Sequence, residues 1–357
     1  MSNRRIAVFL SVLFSLNVSL SAAADTEEKK EKRFVIAPMV VFSPGFGNGG
    51  GLTSMYFYRP TPDDEVSPPS SVGLIALYSH THSYLVSAFN RSYFKRDTFR
   101  LGLVGAYGNI KSDLDVSGLD AVEFSSIVYG LGVRPEWRII GDLFGGVTGA
   151  YSVVDYQEGN EVSKEYFRIY GLGKYTTGLV GPRISYDSRD NQFSPYKGIY
   201  AALDARIVPE AFGAETTYHT VALEINDYVQ LWPRHVLAVR GYGRFTPSDT
   251  PYSGLSKLGR RSDLRGYTPG EHVGRKLVST QAEYRWMFAR RWGVVAFGGV
   301  AALYDGGLSS IKSDQVFPSG GAGVRFALHE ENRVNFRVDY AFGADDDGLY
   351  VSIGEAY

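Results

Sequence analysis

The chain has 357 residues, a formal net charge of −1 and no cysteine, with 41 glycines, 25 tyrosines and 21 phenylalanines. A near-neutral balance gives no footing for nucleic-acid binding. Without cysteine there is no disulfide framework, so stability must come from a packed core or a closed sheet.

The N-terminus comes first. Arg4 and Arg5 precede an apolar run, Ile6–Leu20, and the small residues Ala22–Ala24 follow, the pattern of a cleaved secretory signal peptide over residues 1–24. Residues 25–33, D-T-E-E-K-K-E-K-R, read as a solvated charged periplasmic segment too short to fold alone. No later stretch is apolar for long enough to cross a membrane as a helix, and the mean hydropathy is −0.14.

From residue 34 to 357 the pattern is that of one domain built from strands. Alternating or strand-like segments fall at 33–43, 50–59, 71–80, 83–93, 97–108, 121–134, 136–154 and 172–188, then at 198–208, 215–230, 234–245, 275–288, 292–304, 318–329, 332–343 and 347–357. In Arg333–Phe342, Val334, Phe336, Val338, Tyr340 and Phe342 alternate with Arg333, Asn335, Arg337 and Asp339. Charges on a lipid-facing wall would cost about 2–4 kcal/mol each at the midplane, so the charged face must look inward. Export, aromatic and glycine richness and sixteen strands together predict an all-β fold: a single transmembrane antiparallel β-barrel in the bacterial outer membrane. An exported soluble β-protein would not so regularly set Tyr, Trp and Val on one face and charges on the other.

If the first strand starts on the periplasmic side, R-P-E-W, L-W-P-R-H, F-A-R-R-W and H-E-E-N-R are short periplasmic turns. The stretches 109–120, 155–171, 246–274 and 305–317 are then long outer loops, the asymmetry usual for such barrels. Pro38 removes a ladder donor from the first strand and Gly354 can kink the last, so both bear on the seam where the sheet closes.

The longest connection lies between Val236–Phe245 and Leu277–Phe288 and contains Leu258–Gly270, L-G-R-R-S-D-L-R-G-Y-T-P-G. In the second flanking strand Val278, Ala282, Tyr284 and Trp286 share one face, and Ser279, Gln281, Glu283 and Arg285 the other. A connection of this length inside a compact domain is usually functional, and this one delivers Arg265.

Within it, R-S-D-L-R-G-Y resembles the loop-six motif, V/L-R-G-F/Y, of the BamA/TamA-type bacterial surface antigen superfamily. Three further stretches are similar to that family in the same order: Tyr186–Gly198 (Y-D-S-R-D-N-Q-F-S-P-Y-K-G) to its turn between strands 8 and 9, Tyr304-Asp305-Gly306 to the end of its strand 13, and V-S-I-G-E-A-Y to its last strand. The N-terminal half matches in architecture alone. The chain departs from most relatives in lacking POTRA modules before the barrel, so it resembles the short, barrel-only members.

The resemblance implies that the long extracellular loop folds into the lumen and that Arg265 meets inward carboxylates on strands 12 and 13, Glu283 and Asp305. Alternation independently turns Glu283 inward but does not orient Asp305. Gly266 would allow close backbone approach and Tyr267 would stack on the wall. Tyr357 would end the terminal strand read by an assembly machinery. The implied function is to assist insertion or translocation of protein, or of lipid, at the outer membrane. The implied partners are outer-membrane lipid, an unfolded protein client and a separate periplasmic partner in place of the missing modules. A passive pore or surface structural protein with a loop-plugged lumen remains the other reading. No cofactor is implied, and G-x-S-x-G, H-E-x-x-H and P-loop motifs are all missing, so no enzyme is expected. His80 and His82 fall at a hairpin and read as a solvated turn rather than a metal site, and Asp345–Asp347 read as a polar hairpin tip.

Overall fold

A computed structural model describes residues 33–41, 46–114, 122–170, 173–259, 263–268 and 271–357. The expected signal peptide and residues 25–32 of the charged segment lie outside the described residues.

Sixteen strands form one antiparallel sheet in chain order. They are β1 (Phe34–Val41), β2 (Gly49–Tyr58), β3 (Ser70–Ser79), β4 (Tyr84–Phe94), β5 (Phe99–Leu114), β6 (Val122–Ile140), β7 (Leu143–Glu158) and β8 (Lys174–Asp187). The second half holds β9 (Gly198–Val208), β10 (Tyr218–Trp232), β11 (His235–Phe245), β12 (Lys276–Trp286), β13 (Trp292–Tyr304), β14 (Val316–His329), β15 (Val334–Phe342) and β16 (Asp347–Ile353). Every strand pairs with its chain neighbours, and β1 comes back beside β16 without a ladder between them among the described residues. The result is an almost closed barrel with one unzipped seam.

Two sequence expectations need correction. R-P-E-W is no turn: β6 runs on through Pro135 to Ile140, and the chain reverses at Gly141–Asp142. Proline lacks a ladder donor. The cost falls on one side only, because Leu101↔Pro135 stays in register with β5 while the β7 ladder steps from Val133↔Gly149 to Glu136↔Gly146. The outer loop 155–171 carries a helix, α1 (Glu161–Tyr170), which period-two reading missed. Asn160 caps it, its side-chain oxygen accepting the Ser163 N–H at 2.7 Å.

The two faces differ as the alternation requires. All four tryptophans, Trp137, Trp232, Trp286 and Trp292, are exposed near the ends that meet the short turns. Tyr84, Tyr107, Tyr129 and Tyr151 are exposed farther toward the long loops. Aromatic residues favour the two membrane interfaces, so these belts bracket the bilayer and put the short turns on the periplasmic side.

Neighbouring residues on β5 offer a direct check of the faces. Leu103 is 39 % exposed and Val104 48 % exposed, yet Leu103 points out between the belts and Val104 into the lumen, opposite Phe89. Leu103→Arg is expected to destabilise the folded barrel by about 2–4 kcal/mol, and Val104→Arg by far less, in urea unfolding followed by gel mobility. Equal costs would contradict this placement of lipid and water.

Candidate functional site

The inward face of β12 presents Leu277, Ser279, Gln281, Glu283 and Arg285, all buried. From the connection after β11, residues 256–259 and 263–268 lie against that face. The base of the connection is tied by a two-residue ladder, Ser256↔Gly274 and Lys257↔Val273. Leu258, Leu264 and Tyr267 then bury against Leu277, Ala301 and Leu303 of the wall. Burying such a side chain stabilises by about 1.5–3 kcal/mol, so the loop gains by leaving bulk water.

Polar contacts fix its tip. The Asp263 carbonyl accepts from Ser279 Oγ at 2.9 Å and Gln281 Nε2 at 2.7 Å, and the Ser319 hydroxyl donates to the Arg265 carbonyl. Gly266 N–H donates to the Tyr350 hydroxyl at 2.8 Å, and the Tyr267 hydroxyl donates to the Pro318 carbonyl at 2.5 Å. Gly266 has φ +97°, and a Cβ there would come within 2.7–2.9 Å of the Phe342 and Gly343 backbone, so glycine is required twice over.

Arg265, with a side chain 1 % exposed, is the centre of the site. Its Nη1 donates to Asp339 Oδ2 at 2.8 Å, and its guanidinium lies over the Phe297 ring at 3.4 Å. Its Nη2 lies 2.8 Å from Glu283 Oε2, an ion pair too bent to count as a hydrogen bond. Around them, Arg285 Nε binds Glu283 at 2.7 Å, and Arg325 reaches Asp339 at 2.5 Å and Glu355 at 2.7 Å. Arg337 stands 3.2 Å from Asp339. Four guanidiniums thus interleave with three carboxylates, none of these side chains more than 6 % exposed.

Asp305 is not among them. Its side chain is 61 % exposed and pairs with Arg275 at 3.2 Å. The reason is position: β13 ends at Tyr304, so Asp305 stands past the strand, whereas Asp339 lies mid-strand on β15. The alternation of Arg333–Phe342 had already turned Asp339 inward, but nothing in that pattern ranked it above Asp305.

Glu355 also escaped the sequence reading. Gly354 has φ +83° and donates its N–H to the Asn335 carbonyl at 2.7 Å, which turns the tail off the strand. Glu355 then accepts from Asn335 Nδ2 at 2.7 Å and from Arg325. Tyr357 does not continue the strand face. Its backbone oxygen accepts from Arg285 at 3.1 Å, its hydroxyl donates to the Ala238 carbonyl at 3.4 Å, and its ring lies 5.6 Å from both Arg240 and Arg285. Pro38 sits mid-way along β1 opposite Leu52, exposed on the outer face.

A second feature closes the periplasmic end. In the turn after β8, Asn191 Oδ1 accepts the N–H groups of Phe193 and Ser194, and Asp190 Oδ1 those of Tyr196 and Lys197. These side chains hold the turn rigid. It then reaches strands seven places away in the sheet: Asp190 pairs with Arg333 at 2.6 Å, Asn191 Nδ2 donates to the Asn332 carbonyl, and Phe193 packs edge-on to Phe57 at 5.4 Å. Phe193 joins Val35, Met55, Val334 and Ile353, which flank the seam. The turn is a strap across the mouth.

The remaining candidates have ordinary surroundings. His80 Nδ1 accepts from the Asn48 N–H at 3.0 Å, and His82 lies 2.8 Å from the Tyr78 hydroxyl. Asp346 accepts the Thr268 N–H at 2.5 Å and Asp347 the Tyr340 hydroxyl at 2.5 Å, so this hairpin is tied to the loop. Among the described residues no three His, Cys, Asp or Glu side chains gather to hold a metal.

With this geometry in hand, comparison with known proteins places the chain. The Omp85 superfamily domain matches residues 69–357. BamA from Haemophilus ducreyi lacking POTRA domains 1–3 superposes with a TM-score of 0.54 at 14 % identity, over 90 % of this chain and 68 % of that one. CdiB from Escherichia coli superposes with a TM-score of 0.61 at 12 % identity, over 91 % of this chain and 63 % of that one. CdiB from Acinetobacter baumannii gives 0.57 at 14 % identity, over 90 % and 58 %. No curated protein matches in sequence.

Two outcomes follow from the site. Arg265→Ala strips Glu283 and Asp339 of one of the two cations they share, leaving Arg325, and removing one partner of a buried pair costs about 3–5 kcal/mol. Lumen water brings the expected cost toward the lower end. The loop should become cleavable between 258 and 270 while the barrel keeps its heat-modifiable gel shift, and Arg265→Lys should rescue only in part. Unchanged protease resistance would remove Arg265 from the centre of the site.

The strap should loosen in acid. Burial alone would raise the Asp190 carboxyl, but the Arg333 guanidinium and the N–H groups of Tyr196 and Lys197 outweigh it and hold it below its ordinary value of 3.8. A lowered value means that the contribution is complete above 3.8 and is lost as pH falls through the folded value. Conductance of the reconstituted barrel should therefore rise at low periplasmic pH, and Asp190→Asn should show the raised level at neutral pH. A flat profile in both would contradict the strap.

Proposed function

The chain belongs to the Omp85 superfamily, and we propose that it assists insertion or translocation of protein at the bacterial outer membrane through the seam between β1 and β16. The observation that carries this reading is the missing ladder. Among the described residues every neighbouring pair of strands is hydrogen-bonded except β1 and β16, whose edges lie side by side unzipped. Free strand edges are templates for another strand.

The flanks of the seam support it. Among the described residues β1 has eight, β15 nine and β16 seven, against sixteen in β5 and nineteen in β6. A tilted strand needs about 9–11 residues to span the bilayer, so the wall is shortest where the sheet is open. Such a mismatch thins nearby lipid at a modest cost. Pro38 lies on one flank and the kink at Gly354 ends the other, carrying Glu355 and Tyr357 inward instead of along the seam.

In this reading Arg265, Gly266, Tyr267, Glu283 and Asp339 form a lock that holds the loop in the lumen, and Asp305 has no part in it. The lock keeps the wall round while the seam works. The partners are outer-membrane lipid, an unfolded protein client entering at the seam, and a separate periplasmic protein that meets the turns. A passive, loop-plugged pore is the second reading, favoured by Val104, which faces the lumen and is 48 % exposed there.

The absence of native cysteine makes the test clean. Val35→Cys with Ile353→Cys, two members of the seam cluster, should cross-link on oxidation. Liposomes carrying the reduced protein should speed insertion of a small unfolded barrel protein several-fold, and oxidation should abolish that gain reversibly. Equal insertion with the seam locked would overturn the proposal. Conductance without any effect on insertion in either state would establish the passive pore.

A further inference from the structure

We infer that the lumen wall of β6–β9 holds a binding site for a phosphate-type oxyanion, between Arg134 and Arg206. The inference does not depend on the seam reading.

Arg183, on the same stretch of wall, has its carboxylates. It reaches Glu136 Oε1 at 3.1 Å, the Tyr200 hydroxyl at 2.5 Å and Asp204. Arg134 has none: among the described residues it makes no hydrogen bond or ion pair, and its Nε is buried without a partner. Arg206 is half satisfied, with Nη2 3.2 Å from Asp204 and a buried Nε that bonds nothing. Buried polar atoms without partners are few in native proteins and call for an explanation.

Register sets these two arginines at the ends of one row. The β6–β7 ladder, Val133↔Gly149 and Glu136↔Gly146, puts Arg134 beside Thr148. Thr148 pairs with Gly181, and the β8–β9 ladder puts Gly181 beside Arg206. The row Arg134–Thr148–Gly181–Arg206 spans three strand spacings, about 14 Å between the outer Cα atoms. Two arginine side chains can close that span over a floor of Thr148 and Gly181. The floor stays low, since a Cβ on Gly181 would lie 2.7 Å from Arg206 Cα. The row above it holds Gly132 and Ala150, which leave room.

The acids nearby are already engaged. Glu136 accepts from Arg183 and from Ser185 Oγ at 2.6 Å, and Asp204 accepts from Arg183, Arg206 and Thr148 Oγ1 at 2.8 Å. Three guanidiniums therefore face two carboxylates, with one positive charge left over. A guanidinium offers a planar fork of donors that matches an oxyanion. Chloride could balance the charge but could not fill the fork. The oxyanion could arrive as free phosphate or as a phosphorylated lipid headgroup.

The full chain, in maltoside detergent and phosphate-free buffer, is titrated with inorganic phosphate and pyrophosphate by calorimetry. A parallel arm weighs the intact protein by mass spectrometry for co-purifying phospholipid. Saturable phosphate binding, weakened about ten-fold or more by Arg134→Gln and by Arg206→Gln, would assign the free anion. A retained phospholipid lost in both variants would assign the headgroup. An unheated gel checks folding, and Arg206→Gln carries the test if Arg134→Gln does not fold. The proposal is overturned if neither arm detects binding, if both variants bind as wild type does, or if chloride competes as well as phosphate.

Discussion

The structure depends on keeping four guanidiniums and three carboxylates together in a nearly dry volume inside the barrel. Taking one such ion out of water costs several kcal/mol, and only close pairing repays it. No single strand could supply that pairing. Glu283 and Arg285 come from β12, Arg325 from β14, Arg337 and Asp339 from β15, Glu355 from the tail and Arg265 from the loop. The loop's arginine and Arg325 of β14 both join the β12 carboxylate to the β15 carboxylate, and the loop's arginine completes the cluster only when the loop is inside. The apolar contacts of Leu258, Leu264 and Tyr267 act in the same direction, which makes the inward position the one that satisfies charge and burial together.

The cluster also explains how a barrel with an open seam stays round. Among the described residues β1 and β16 share no ladder, and Val35 and Ile353 meet there in one apolar cluster. Polar ties lie elsewhere. Arg265 spans from β12 to β15 through the lumen, and the strap after β8 ties the far wall to the β14–β15 turn and to the seam cluster through Phe193. Both ties cross the interior instead of zipping the edge, so the edge can remain available while the wall is held. The tail adds a third element: the left-handed Gly354 takes Glu355 and Tyr357 away from the edge and into the arginines.

Much of this was legible in the sequence because a barrel wall has a strict period of two. Charges that would be costly in lipid fixed the inward face, and the alternation of β12 put Glu283 in the lumen without any structure. The failures have separate, local causes. Pro135 read as a turn because its lost donor looks the same whether a strand ends or merely drops one ladder contact. Helix α1 lay in a stretch where polar residues blurred both periods. Asp305 came from the motif resemblance, and alternation, which turns Asp339 inward, could not rank it above Asp305 because it gives a face but not a depth. Glu355 escaped because a single positive φ at Gly354 turns the tail off the strand, so alternation no longer applies.

Ion pairs and backbone hydrogen bonds together hold the loop tip inside. Hydrogen exchange over residues 263–268, in the reconstituted barrel, tests this most directly. The Gly266 N–H, bonded to the Tyr350 hydroxyl at 2.8 Å, should exchange as slowly as the amides of β12, and should speed up by orders of magnitude when Glu283 and Asp339 are neutralised together. Exchange of 263–268 at the rate of a free surface loop in the unaltered protein would contradict the account.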